Sequence, residues 1–423
     1  MRYARFQRAV YEDMNKTGTL EACVPRKPMN SLREIIESSP SVRHLAFTTE
    51  RENDEPQPLG PARWDWSSVQ RVLVVRLRSI GDAVLTTPSL FALRRFLPHA
   101  QIDILLEDWV APVLDGSDLI DRVVIAPRDG TSARARVARE LRAEQYDVVY
   151  NLHGGTTATL FTRATGANHR VGFGDYQYAR LHNHVAPTAR EIWRRPTLHS
   201  VEQQLALIGW TGVPVSDRPA TRVTITEEAV ANVSEKLRLA GFEVEKNEPF
   251  ALIHPTAAFD TKQWATDNFA RVAEELHARG LMPVAIVSAK EEPILQSLIE
   301  QTSVRLVGLS NLSLPEVAAL TSRARLFIGN DSGIAHIAAA VGAPCVVIFG
   351  SSNRAHWRPW TIQPHEVVFE ELPCQPCPGY FCAEFEKPEC ILRVPVERVV
   401  AAIDRLLGER LRVKVSSVDF SID

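Results

Sequence analysis

Three short stretches carry residue types that can do chemistry. In VRLRSIGDAV, residues 75–84, Arg76 and Arg78 precede Gly81 and Asp82, between an apolar β-type run and a repeat at helical spacing. In HPTAAFDTKQW, residues 254–264, a second apolar run ends in a small, polar turn holding Thr256, followed by Lys262 and Trp264. In NDSGIAH, residues 330–336, Asp331, Ser332 and Gly333 open a helix on which His336 lies four residues after Ser332, on the same face. A helix start with free N–H groups and a hydroxyl is an anion site, and a lysine from a neighbouring loop can meet the same anion. A carboxylate at a helix start does the opposite: the dipole holds Asp82 ionised, and it would repel a phosphate. Each residue also has a plainer reading. Asp82, Asp331 or Ser332 can serve as an N-cap, Lys262 as a solvated lysine and His336 as a core residue. Glu291 or Glu292, after the run VAIVSA, can hold hydroxyl groups of a ligand or simply begin a helix.

The elements that must carry these residues follow from periodicity. From Arg71, apolar runs at 72–77, 102–106, 122–126 and 147–152, with another at HRVGF, alternate with helix-type segments at 83–97, 133–145, 156–165 and 198–209. From Phe250 the pattern restarts: FALIHP, MPVAIVS, VRLVG, ARLFIGND and PCVVIFG alternate with helices near 266–279, 291–301, 314–323 and 333–341. Strand and helix in alternation imply a parallel sheet covered on both faces. The expected fold is therefore α/β, two doubly wound Rossmann-like domains facing a cleft at the carboxyl ends of their strands. The expected divisions are an appended segment over 1–68 with helix candidates at 2–14 and 30–38, a first domain over 69–215 and a second over 216–423. Trp64 and Trp66 are expected to pack onto the first domain.

Composition excludes several classes. At 423 residues the chain has room for two or three domains, and with 45% hydrophobic and 23% charged residues it is ordinary soluble material. No run approaches the ~20 apolar residues of a membrane span, and the N-terminal stretch lacks a secretory hydrophobic region, so the cytoplasm is the expected compartment. The net charge of −3 conceals an asymmetry: residues 71–215 hold 17 Arg, no Lys and 14 acidic residues. That excess is too scattered for a nucleic-acid footprint. Four of the six cysteines, Cys374, Cys377, Cys382 and Cys390, form C-x2-C-x4-C-x7-C, which points to a metal knuckle or a reduced cluster rather than a secreted disulfide framework.

Taken together, VLVVRLRSIGDAVLTTPSLFALRRFLP, IHPTAAFDTKQWATDNFARVAEEL and NDSGIAHIAAAVGAPCVVIFGSSNRAHWRPW, in this order and followed by the cysteine cluster, resemble glycosyltransferase family 9, the ADP-heptose heptosyltransferases of lipopolysaccharide assembly. The resemblance covers residues 71 to about 407 and implies the GT-B architecture, with inverting transfer and no catalytic metal. It implies that Asp82 is the general base toward the acceptor hydroxyl, and that Lys262 with the N–H groups of Ser332 and Gly333 neutralises the departing nucleoside diphosphate. Thr256, Glu291, Asp331 and His336 would complete the donor site. Arg76, Arg78 and Gly81 would face the acceptor, the arginines suiting an acidic glycolipid or glycan, which would imply peripheral contact with the inner membrane. The sequence departs from many relatives at Thr256, where they carry Gly, and at Ala265, where they carry Pro. A heptose from ADP-heptose is the implied donor group. The alternatives are a protein-directed heptosyltransferase with zinc or iron on the four cysteines, and a non-catalytic nucleotide-sugar-binding protein. A dehydrogenase is disfavoured, because neither first strand is followed by G-x-G-x-x-G.

Overall fold

The computed structural model describes residues 55–242, 249–377 and 381–416, with side chains as far as Gly408; the helix candidates at 2–14 and 30–38 lie outside the described residues. The chain builds two α/β lobes. The first contains β1 (Arg71–Val75), α1 (Ile80–Val84), α2 (Thr87–Phe96), β2 (Gln101–Glu107), β3 (Arg122–Ala126), α3 (Thr131–Ala143), β4 (Val148–Asn151), α4 (Thr156–Thr165), β5 (His169–Phe173), β6 (His184–Ala186), α5 (Ala189–Trp193) and α6 (Ser200–Gly209). The second contains α7 (Glu227–Leu239), β7 (Phe250–His254), α8 (Thr266–Ala278), β8 (Met282–Ile286), α9 (Glu292–Gln301), β9 (Val307–Leu309), α10 (Leu314–Arg323), β10 (Leu326–Asn330), α11 (Gly333–Ala340), β11 (Cys345–Phe349), α12 (Arg354–Trp357), β12 (His365–Phe369), α13 (Glu389–Leu392) and α14 (Val396–Ser416).

Each lobe has a six-stranded sheet, ordered β3-β2-β1-β4-β5-β6 in the first and β12-β11-β10-β7-β8-β9 in the second. All the pairings are parallel. Numbered within its own lobe, the second order is the first read backwards, so both are the doubly wound 3-2-1-4-5-6 arrangement. The strand order reverses between β1 and β4 in one lobe, where Val72 faces Val148, and between β7 and β10 in the other, where Ala251 faces Leu326. Helices leave such a point toward opposite faces, which opens a crevice at the carboxyl ends of those strands.

Strand periodicity divides the apolar residues between layers. Val72 and Val74 of β1 and Phe250 and Leu252 of β7 join one core that continues from lobe to lobe through α2, α6, α7 and α10. Leu73 and Val75 face a separate outer core under α3 and α4, and Ala251 and Ile253 face another under α8 and α14. The shared core joins the lobes, and α1 and α11, at the carboxyl ends of their sheets, pack on each other across the junction.

Several elements differ from the sequence expectation. The expected helix over 83–97 is two helices, α1 and α2, with Pro88 in the first turn of the second. Pro lacks an N–H and is tolerated at a helix start, so it marks a new helix. Strand β6 lies inside the polar stretch before α6, and β12 is a half-buried edge strand; neither has a continuous apolar run. Helix α7 follows the segment around residues 211–223 and packs on α10, within the second lobe. Residues 55–70 lie along the first lobe. The Leu59 N–H donates to the Gly209 carbonyl at 3.0 Å, the Trp66 indole donates to the Thr211 carbonyl at 3.1 Å, and Trp64 stacks on His169 with centroids 4.4 Å apart.

Candidate active site

The loops that follow β1, β4, β7 and β10 are the ones a doubly wound sheet brings to its crevice, and they carry most of the candidate residues. After β1 the chain turns into α1, only five residues long. Asp82 sits in its first turn, and both carboxylate oxygens are engaged. Oδ1 accepts from the Arg76 guanidinium, and Oδ2 accepts from the Ser79 N–H and hydroxyl, each at 3.1 Å. Arg76 also donates to the Leu152 carbonyl. Burial acts to raise the Asp82 pKa, but the Arg76 charge and the Ser79 N–H outweigh it and hold the carboxyl below the usual carboxylate range. Arg76, expected to face the acceptor, is thus spent on orienting Asp82, since a guanidinium beside a buried carboxylate is worth more as its partner than as a free cation.

The loop after β4 contributes a residue the sequence did not single out. His153 lies close enough to Arg76, Arg78 and Asp82 to feel all three charges, and burial with the two arginines pushes its pKa down to about 3, so the ring is neutral. Asn151, the buried last residue of β4, accepts from the N–H groups of His153 at 3.1 Å and Gly154 at 2.9 Å and so sets that turn.

The second lobe repeats this device. Asn330, the buried last residue of β10, accepts from the Trp264 N–H at 3.1 Å and donates to the Pro255 carbonyl at 2.9 Å, tying the loop after β7 to the loop after β10. Trp264 is fully buried and its indole donates to the Val394 carbonyl at 2.9 Å. Lys262 is thereby brought over the start of α11, where its Nζ donates to Asp331 Oδ2 at 2.9 Å. Ser332 caps α11 without accepting a hydrogen bond from the helix, so the first N–H groups have no side-chain cap. The Ser332 hydroxyl faces His254 Nδ1 at 3.4 Å, and Thr256 Oγ1 faces His254 Nε2 at 3.2 Å. Burial lowers the His254 pKa to about 4, against the pull of Glu291. Glu291 spends one oxygen on the Ser288 N–H and hydroxyl, at 2.9 and 2.6 Å, closing a cap.

The two lobes meet where α1 and α11 begin. A Cβ on Gly81 would lie 2.7 Å from His336 Cδ2, and one on Gly333 would lie 2.9 Å from Ile80 Cβ and 3.1 Å from the Gly81 nitrogen. Gly81 is therefore a contact with the other lobe rather than an open wall of the cleft. His336 is buried there, its Nδ1 without a protein partner; burial lowers its pKa, partly offset by Asp331 and Asp82. His356, from the segment after β11, also feels Asp82, and its Nδ1–H donates to the Leu198 carbonyl at 2.9 Å. An ionised carboxylate on one lobe thus stands across from a lysine and a run of helix-start N–H groups on the other. That pairing can take a proton from an alcohol on one side of a reacting centre and neutralise an anionic leaving group on the other.

Arg78 faces Glu107 at 3.8 Å, in a pocket beside the Asp82 loop. The cysteine cluster follows β12 and packs against the turn that carries Lys262: the Cys377 N–H donates to the Ser351 carbonyl at 2.9 Å, and the Ser351 N–H donates to the Thr261 carbonyl at 3.2 Å. Among the described residues no group of three or more His, Cys, Asp or Glu side chains is arranged to hold a metal ion, although Cys374, Cys377 and Cys382 all lie close enough to Cys390 to act on its thiol. Burial and the three neighbouring thiols push Cys390 up to about 11, which keeps it a neutral thiol and a poor ligand until a metal draws off its proton. Among the described residues no helix is long and apolar enough to cross a membrane.

Comparison with known proteins agrees with this geometry. Residues 134–387 match the model of glycosyltransferase family 9 (heptosyltransferase). The chain is 28% identical over 354 residues to lipopolysaccharide heptosyltransferase 3 of Escherichia coli, covering 78% of this chain and 97% of that one. Among solved structures it resembles a family 9 glycosyl transferase of Veillonella parvula, with a TM-score of 0.70 and 22% identity over 80% of this chain and 97% of the other. It also resembles the E. coli ADP-heptose lps heptosyltransferase II, with a TM-score of 0.66 and 21% identity over 81% and 99% of the two chains. The likeness in structure is one of fold, the two-lobed GT-B arrangement.

Proposed function

Since the chain belongs to glycosyltransferase family 9, the heptosyltransferases, we propose that it moves a heptose from ADP-heptose to a hydroxyl of the lipopolysaccharide core or a related glycan, inverting the anomeric centre without a catalytic metal. The acceptor binds the first lobe, and Asp82 Oδ2 takes its proton as the oxygen attacks the anomeric carbon. Oδ2 is the reactive oxygen because Arg76 holds Oδ1, whereas the Ser79 hydroxyl on Oδ2 can rotate away to admit the acceptor alcohol. The nucleoside diphosphate leaves toward the second lobe. There Lys262 turns from Asp331 to the phosphate, and the N–H groups at Ser332 and Gly333 take up the remaining charge. Thr256, Glu291 and His336 line the donor side, and His336 closes over the reacting atoms against Gly81.

The observation that carries this reading is the meeting of the Asp82 helix and the Ser332 helix at Gly81 and Gly333. Support for the donor comes from the name of the E. coli structural relative, which is an ADP-heptose enzyme. The test is turnover of ADP-heptose with purified core oligosaccharide, with the configuration of the new linkage read by NMR. Release of ADP with the donor configuration inverted is expected. Retention of configuration, or full turnover by Asp82→Asn, would remove Asp82 from the role of base.

A further inference from the structure

One buried side chain between the donor loops takes no part in the chemistry above. His254 is the last residue of β7, in the place that Asn151 and Asn330 hold in β4 and β10. Its ring stands between two hydroxyls, one from each of the loops that follow β7 and β10. Thr256 Oγ1 lies 3.2 Å from Nε2, and Ser332 Oγ lies 3.4 Å from Nδ1. Burial pushes the His254 pKa down to about 4, so the ring is neutral.

A neutral imidazole carries one N–H and one bare lone pair, so it donates to one of these hydroxyls and accepts from the other. The hydroxyl that donates to the ring has no proton left for a ligand. Burial decides which one that is. Thr256 is 1% exposed, and among the described residues His254 Nε2 is the sole hydrogen-bond partner of its hydroxyl. A hydroxyl has one proton and two lone pairs, so in a buried place losing its donated bond costs more than leaving one lone pair idle. Thr256 therefore donates to Nε2, and the ring proton sits on Nδ1, from which it is donated to Ser332 Oγ. Ser332 is partly exposed and accepts nothing from its own helix, so its O–H stays free at the start of α11, beside Asp331 and the Lys262 ammonium that Asp331 holds.

We infer that His254 is a positioning residue of the donor site: as the Nδ1–H tautomer it donates to Ser332 Oγ and so turns the Ser332 proton outward, onto the oxygens of a departing diphosphate. The inference rests on the assignment of the α11 start to the leaving group. The opposite tautomer would draw the Ser332 proton inward and present bare lone pairs to the anion, turning attraction into repulsion where negative charge grows. With the ring set before the donor arrives, the hydroxyl needs no reorientation as the glycosidic bond to the diphosphate breaks.

The first test needs no variant. In the full chain saturated with ADP and labelled at the histidine ring nitrogens, long-range proton–nitrogen NMR should show His254 with Nδ1 protonated and Nε2 bare, its signal identified by its loss in His254→Asn. The Nε2–H tautomer, or a doubly protonated ring, overturns the inference. In turnover, His254→Phe should lower kcat about tenfold, the loss of one aimed hydrogen bond to a charged group, while the acceptor KM holds. His254→Asn, whose amide N–H stands near the Nδ1 position, should recover most of that loss, and His254→Gln, whose amide reaches toward Nε2, should not. Ser332→Ala should cost about tenfold alone and leave His254→Phe within about twofold of silent, because a missing hydroxyl cannot be aimed. Losses that multiply, or equal losses for Asn and Gln, would mean that the ring only fills space, and would overturn the inference. Should His254→Phe fail to fold, the wild-type spectrum and the Asn and Gln pair still decide. Failure of ADP to bind would sink the donor reading as well, whereas ADP bound above the wrong tautomer sinks this inference alone.

Discussion

Two helix starts face each other in this molecule, and they are built on opposite principles. α1 begins with a carboxylate that accepts from the Ser79 N–H at its own mouth, so its positive end is already answered from within. α11 begins with a serine that accepts nothing from its helix, and the nearby carboxylate, Asp331, is drawn off by Lys262. The first start is thus unfit for a phosphate and fit to keep a base charged; the second is the reverse. The two lobes share one sheet topology, and on the proposed function a single acidic position would decide which chemistry each performs.

Removing the charge at one start should do the most damage. Asp82→Asn should lower kcat by roughly 10²–10⁴-fold with ADP affinity retained, measured by steady-state kinetics and calorimetry. Lys262→Met should cost about 3 kcal/mol of transition-state stabilisation, roughly a hundredfold in kcat; adding Asp331→Asn should recover ADP binding by removing the carboxylate left unpaired at the site. Equal losses in ADP affinity for both single variants would erase the contrast drawn here.

The contact between the starts is tested next. Gly333→Ala should cost about 1–3 kcal/mol in kcat/KM, because its methyl meets Ile80 Cβ and the Gly81 backbone nitrogen, which cannot step aside. Gly81→Ala meets the edge of a His336 ring instead, so His336→Ala should rescue it and leave Gly333→Ala unrescued. Rescue of both would mean that the backbone contact is soft.

The smallest effect concerns pH. The Asp82 pKa is lowered in the folded protein, so the base and the stability from its ion pair are both present above the usual carboxylate value, and are lost as pH falls through the depressed one. Arg76→Met removes a principal cause of that depression, and the acid limb of kcat/KM should move to higher pH with little change near neutrality. An unmoved limb would show that Ser79 alone sets the charge of Asp82.

Much of this was legible in the sequence because the crevice loops follow apolar strands whose runs are unmistakable. VLVV, FALI and LFIG precede Asp82, Lys262 and Ser332, so periodicity alone puts all three in the segments that follow strand ends. What stayed hidden were residues whose work is done at a distance in sequence. Arg76 reads as a loop cation until its partner six residues on is seen. His153 sits in a glycine-rich turn with no local signal of the two arginines that neutralise it. Asn151 and Asn330 did carry one, a polar residue closing an apolar strand, VVYN and LFIGN, in corresponding positions of the two lobes. The strands β6 and β12 were missed because edge strands need not be apolar on both faces.

The segment after β11 has one more consequence. His356 reaches the Leu198 carbonyl at 2.9 Å, His199 donates through Nε2 to the Arg358 carbonyl at 2.8 Å, and the Trp360 indole donates to the Pro219 carbonyl at 2.9 Å, so the second lobe is buttoned to the first beside the covalent tether that enters α7. Button and tether lie together and make one seam. Lobes that part while keeping that seam would swing open on the side away from it, and substrate entry and product exit would then share a single gape.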